Sequence, residues 1–106
     1  MDMLVATAHD FALLRRGRPV ASGRWDDVLR VHATTDGPPD GSRCLVLRLR
    51  GAEFRARDDA PGWDDFVEAA EAALPGMRPR RVWESDVRPG APGPTVVVFE
   101  RGAPAT

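Results

Sequence analysis

Residues 44–57, Cys44-Leu45-Val46-Leu47-Arg48-Leu49-Arg50-Gly51-Ala52-Glu53-Phe54-Arg55-Ala56-Arg57, decide the fold class of this chain. Leucines at 45, 47 and 49 repeat with a period of two, which places all three on one face of a β-strand. Gly51-Ala52 is expected to form a tight turn, after which Phe54 and Ala56 continue the alternation on the same face. Pairing across that turn sets Leu49 opposite Phe54, Leu47 opposite Ala56, Arg48 opposite Arg55, Arg50 opposite Glu53, and Arg57 opposite Val46. One face of the hairpin is then apolar, and the other carries Arg48, Arg50, Arg55 and Arg57.

Downstream, Trp63, Phe66, Val67, Ala70 and Leu74 recur at helical spacing and predict one amphipathic helix over 62–74. Asp64 and Asp65 fall in its first turn, where the helix dipole favours carboxylates. Asp58 or Asp59 is the expected cap, and Pro61 suits the first turn. Pro75-Gly76 ends the helix. The helix is expected to cover Leu45, Leu47, Leu49, Phe54 and Val97.

Upstream, Phe11–Arg16 and Val20–Arg24 read as a hairpin around Gly17 and Pro19, with Met3–Ala8 a further strand or a loose start. Val28–Thr34 is β-branched and strand-like. The stretch 36–41 is a loop by its prolines and glycines. Beyond the helix, Arg80–Glu84 is expected to be a strand and 87–94 a loop. Thr95–Phe99 reads as a strand buried on both sides or central in the sheet. The tail 102–106 is expected to fray. The reading is a single α+β domain spanning 1–106: a curved antiparallel sheet of about five to seven strands packed by one helix.

Composition fits this. The chain has 106 residues, 42% hydrophobic and 29% charged, with a net charge of −1. That is the size of one domain and the make-up of a globular one. No apolar run reaches the ~18 residues of a membrane-spanning helix. The near-zero charge argues against a nucleic-acid partner, and no aromatic alternates with the arginines. All 15 basic side chains are Arg, a bias that a GC-rich genome explains. One cysteine excludes an internal disulfide, and MDMLVATAHDF has no signal-peptide pattern, so a reducing cytoplasm is expected.

The run Trp25-Asp26-Asp27-Val28-Leu29-Arg30-Val31, the pair of strands over 44–59, and Pro61-Gly62-Trp63 opening a helix that ends Leu74-Pro75-Gly76 resemble a group of small bacterial proteins of pleckstrin-homology-like type. The resemblance covers roughly residues 10 to 101. It implies a half or complete barrel in which a helix closes a curved antiparallel sheet. A strand after the helix departs from the usual order of that fold, where the helix comes last. Members of the fold bind phosphoinositides, peptides or protein surfaces; fold alone does not carry that function over.

Chemistry-bearing residues are sparse. His9-Asp10 is the lone adjacent His-carboxylate pair, and no Ser sits in a nucleophile-elbow frame, so a surface turn is the simpler reading. His9, His32 and Cys44 would make a three-ligand zinc site in principle, but their spacing matches no short zinc motif. Cys44 as a nucleophile would need a base and a positive setting; it reads instead as a half-exposed structural thiol. Asp26-Asp27, Asp58-Asp59 and Asp64-Asp65 have turn and helix-start explanations, although 58, 59, 64 and 65 are close enough to hold a cation. Trp25, Trp63 and Trp83 read as core anchors. No catalytic residue, metal site or cofactor is expected. The candidate binding residues are Arg48, Arg50, Arg55 and Arg57, for an anionic ligand, a lipid headgroup or an acidic protein. The leading expectation is a non-enzymatic domain that binds a protein partner or itself through a sheet face or edge, an immunity or inhibitor protein being one version. An anion-binding module is the alternative.

Overall fold

A computed structural model describes residues 2–35, 42–87 and 95–101. The loop expected at 36–41, most of that at 87–94 and the tail 102–106 lie outside them. Strands β1 (Asp2–Ala6), β2 (Asp10–Arg15), β3 (Arg18–Arg24), β4 (Val28–Thr35), β5 (Arg43–Leu49), β6 (Ala52–Arg57) and β7 (Val96–Glu100) are joined by helices α1 (Trp63–Ala73) and α2 (Arg80–Asp86). The class is α+β. Instead of one curved sheet with one helix, there are two antiparallel sheets, ordered β1-β2-β3 and β6-β5-β4-β7, and two helices. A 3₁₀ turn, Trp25–Asp27, makes the corner between β3 and β4. The edges of β3 and β6 approach each other but share no ladder, so the sheets do not close.

The core lies between the sheets and α1. Leu4, Phe11, Leu45, Leu47, Phe54 and Ala56 contribute the inward alternating positions of the strands. Trp63, Phe66, Val67 and Ala70 of α1, with Leu74 just beyond it, are all buried, so the predicted stripe faces the core. Phe11, Trp25, Phe54 and Phe66 form an aromatic cluster with centroids 4.5–5.9 Å apart, in the range where ring pairs attract. All three tryptophans are core residues. Trp25 donates its indole N–H to the Thr7 carbonyl, 2.9 Å away, whereas the buried Trp83 indole N–H finds no acceptor among the described residues.

Three local expectations need correction. The β5–β6 turn is Arg50-Gly51 rather than Gly51-Ala52, because Gly51 takes the left-handed conformation (φ 76°) that Ala52 would resist. Partners therefore shift by two residues: Leu47 meets Phe54 and Arg48 meets Glu53. The faces are unchanged because the shift is even. Arg80–Asp86 is a helix, not a strand: Trp83 and Val87, four apart, both turn into the core, and Arg80 pairs with Glu84 one turn on. Finally β7 is an edge strand bonded to β4 alone in its sheet. A register shift there leaves Val98 and Phe99 both buried in the core, while Val97 pairs with His32 outside it.

Helix α1 also starts differently from expectation. Neither Asp58 nor Asp59 caps it; Gly62 does, with φ 89° and no side-chain cap. Pro61 precedes the helix, and its carbonyl accepts the Leu4 N–H at 2.8 Å. A Cβ on Gly62 would lie 2.0 Å from the Leu4 carbonyl oxygen, so only glycine lets β1 pack this closely on the helix entrance. Arg101 fixes the corner, donating to the Val28 and Trp25 carbonyls at 2.7 and 3.0 Å.

Candidate functional site

The outer face of the four-stranded sheet is built in ranks. Across the first run Glu100, Arg30, Arg48 and Glu53, from β7 to β6. Two arginines face each other at the centre, and each has a carboxylate on its other side. The next rank is Val97, His32, Val46 and Arg55; the one after is Thr34, Cys44 and Arg57. Arg48, Arg55 and Arg57 therefore share a face, as the alternation predicts, while Arg50 sits exposed in the turn. The expected opposition of Arg48 and Arg55 is replaced by Arg48 against Arg30 and Glu53, and Arg57 faces Cys44 rather than Val46. Arg55 donates to Glu53 at 3.3 Å and Arg57 to Asp59 at 3.1 Å. Arg55 and Arg57 also border a cleft of about 390 Å³ with Asp2 and Leu13, which Arg48 and Arg50 do not reach.

His32 lies half-buried on this face. Burial pushes its pKa below the ordinary 6.5, and the Arg30 guanidinium pushes the same way; Glu53 opposes them, and Arg55 and Arg48 add further repulsion. Cys44 is 1% exposed, more buried than expected, and its thiol lies 3.8 Å from the Leu45 carbonyl oxygen.

The other candidate constellations are held by structural contacts. His9 is exposed in the β1–β2 loop, where Thr7 Oγ1 donates to Asp10 Oδ1 at 2.7 Å and accepts the His9 and Asp10 N–H groups. Asp26 and Asp27 belong to the 3₁₀ corner. Asp59 pairs with Arg57, and Asp64 with Arg80 at 2.7 Å. Among the described residues no three His, Cys, Asp or Glu side chains come together as a metal site requires. No helix among them is long and apolar enough to cross a membrane.

A second surface was not anticipated. On the three-stranded sheet, Leu4, Ala6, Phe11, Leu13 and Ala21 point to the core, so the alternate positions face outward. These are Met3 and Val5 on β1, Ala12 and Leu14 on β2, and Pro19, Val20 and Ser22 on β3. Met3, Val5 and Val20 are 44, 37 and 51% exposed. They account for three of the five exposed large hydrophobic side chains among the described residues. The strands are apolar on both faces, which hides the alternation that would have revealed them. Relief runs along this face. The short side chains of Ala12 and Ser22, beside Val5, floor a depression of about 250 Å³ edged by Asp10 and Arg24. Toward the β2–β3 turn, Met3, Leu14, Pro19 and Val20 cluster, with Val20 at a break in register.

Comparison with protein-family models, curated proteins and solved structures found no match for this chain.

Proposed function

We propose that this chain is a non-enzymatic protein-interaction domain whose docking surface is the outer face of β1-β2-β3. One observation carries the reading: Met3, Val5 and Val20 are exposed together on one sheet face, with Leu14 among them. Clustered exposed apolar side chains mark interaction surfaces far more often than scattered ones do. Two antiparallel sheets that do not close, with the buried stripe of α1 packed on the core they share, support reading the domain as an open, pleckstrin-homology-like half-barrel. The test is capture from native lysate with the wild type, a Met3→Glu/Val20→Glu variant and an Arg48→Glu/Arg55→Glu variant. Loss of capture in the first variant alone, with an unchanged melting temperature, is the expected result; equal capture by all three sinks the proposal.

The second reading is anion binding on the outer face of the four-stranded sheet by Arg48, Arg55 and Arg57, with Arg30 added. The depressed pKa of His32, lowered in part by three of these guanidinium groups, favours it. Vesicles containing a phosphoinositide, compared with uncharged vesicles, test it. Binding that Arg55→Glu abolishes would establish this face instead.

A further inference from the structure

We infer that the partner of the β1-β2-β3 face is a second copy of this chain, docked about a two-fold axis; the inference rests on the interaction reading above. A two-fold contact requires a patch complementary to itself after half a turn. This face meets that requirement in shape. Its turn end projects Met3 and Val20, the two most exposed large hydrophobic side chains of this face, beside half-buried Leu14, and its other end carries the depression lined by Ala12 and Ser22. Antiparallel packing of two copies seats each protrusion in the other's depression, and the apolar surfaces meet along β2.

It meets the requirement in charge as well. The turn end holds Arg15, Arg16 and Arg18 against the one carboxylate of Asp2, which Arg15 already engages at 2.9 Å. The opposite end of β2 and β3, with the 3₁₀ corner that follows, holds Asp10, Asp26 and Asp27 against Arg24 and against Arg101, whose guanidinium is tied to the Trp25 and Val28 carbonyls, so carboxylates still outnumber guanidinium groups there. Half a turn lays the basic end of one copy over the acidic end of the other. A parallel arrangement would set like charges together, so the electrostatics select the same antiparallel geometry as the relief does. An unrelated partner would have to supply both the relief and the charge pattern; a second copy already has them.

The experiment is sedimentation equilibrium of the whole chain from about 1 to 500 µM, a span that brackets micromolar association. The wild type is expected to dimerise reversibly. Val20→Glu, which charges the protrusion, and Ala12→Trp, which fills the depression, should each weaken association by at least about tenfold at unchanged melting temperature. Arg18→Glu should weaken it at low salt, and adding Asp26→Arg to the same chain should restore it. A dimer that survives both Val20→Glu and Ala12→Trp uses another surface and overturns the inference. A wild type that stays monomeric at the highest concentration overturns it too. In that case, face-dependent capture of another protein leaves the interaction reading standing, and no capture overturns both.

Discussion

On the outer face of β1-β2-β3, Met3, Val5 and Val20 are open to water, whereas on the outer face of β6-β5-β4-β7, Val46 and Cys44 are fully buried although they too point away from the core. Side-chain length makes the difference. Val46 lies directly across from Arg55 and Cys44 from Arg57, side chains whose long methylene stems are able to cover a neighbour with the charged head in solvent. On the smaller sheet, Val5 has Ala12 beside it and Ala12 has Ser22, and neither reaches far enough to cover a neighbour. The outward residues of the larger sheet have long neighbours, and those of the smaller sheet have short ones.

The comparison breaks most completely where the smaller sheet is attached. Gly62→Ala drives a methyl against the Leu4 carbonyl and imposes a strained φ, so it should cost more than about 3 kcal/mol in urea denaturation. Gly51→Ala, with a similar positive φ but open space around it, should cost about 1 kcal/mol. A small loss at Gly62 would mean that β1 is not held against the helix entrance.

The two buried indoles sharpen the contrast. Trp25→Phe removes the N–H that holds the β1–β2 loop through Thr7, and Trp83→Phe removes an N–H that has no acceptor among the described residues. Trp25→Phe should therefore be the costlier by about 1–2 kcal/mol in the same assay. Equal costs would remove the loop tether from the account.

On the larger sheet the expected effects are smaller. His32 has a depressed pKa in the folded state, so the unfolded chain binds more protons between that value and 6.5. Its contribution is complete above 6.5 and is lost as the pH falls through the folded-state value. The wild type should lose stability on acidification faster than His32→Gln, measured as midpoint against pH. Anion binding on this face would raise the His32 pKa and diminish that difference.

The smallest change expected is at Arg48. Arg48→Glu replaces repulsion from Arg30 by attraction and attraction to Glu53 by repulsion, so stability should move by less than about 0.5 kcal/mol. A larger loss would mean that Arg48 does more than sit in a balanced, solvated rank.

Where one face is apolar and the other is not, the sequence is readable. Leu45, Leu47 and Leu49 alternate with Val46 and Arg48, and Trp63 to Leu74 repeats at helical spacing; both were placed correctly. The β5–β6 register was off by two because Gly51 fits either central position of a short turn and an arginine meets Glu53 in both registers, so neither the glycine nor the charges single one out in the sequence. Arg80–Asp86 spans seven residues, too few for periodicity to outweigh the β-branched Val82 beside Trp83. The Arg80/Glu84 and Trp83/Val87 spacings of four were the available signal. The arginine face was legible, and His32 and Arg30 joined it only once β4 was set against β5. The apolar face was not legible, because a strand that is greasy on both sides reads the same whichever side it buries.

Cys44 is the sole sulfhydryl, and it lies in β5, a strand bonded on both sides. A thiol reagent can reach it only when the side chains that cover it move aside, so labelling kinetics under native conditions measure how often they do. The chain thus carries its own clock for local opening, placed on the other sheet from the apolar face proposed to dock.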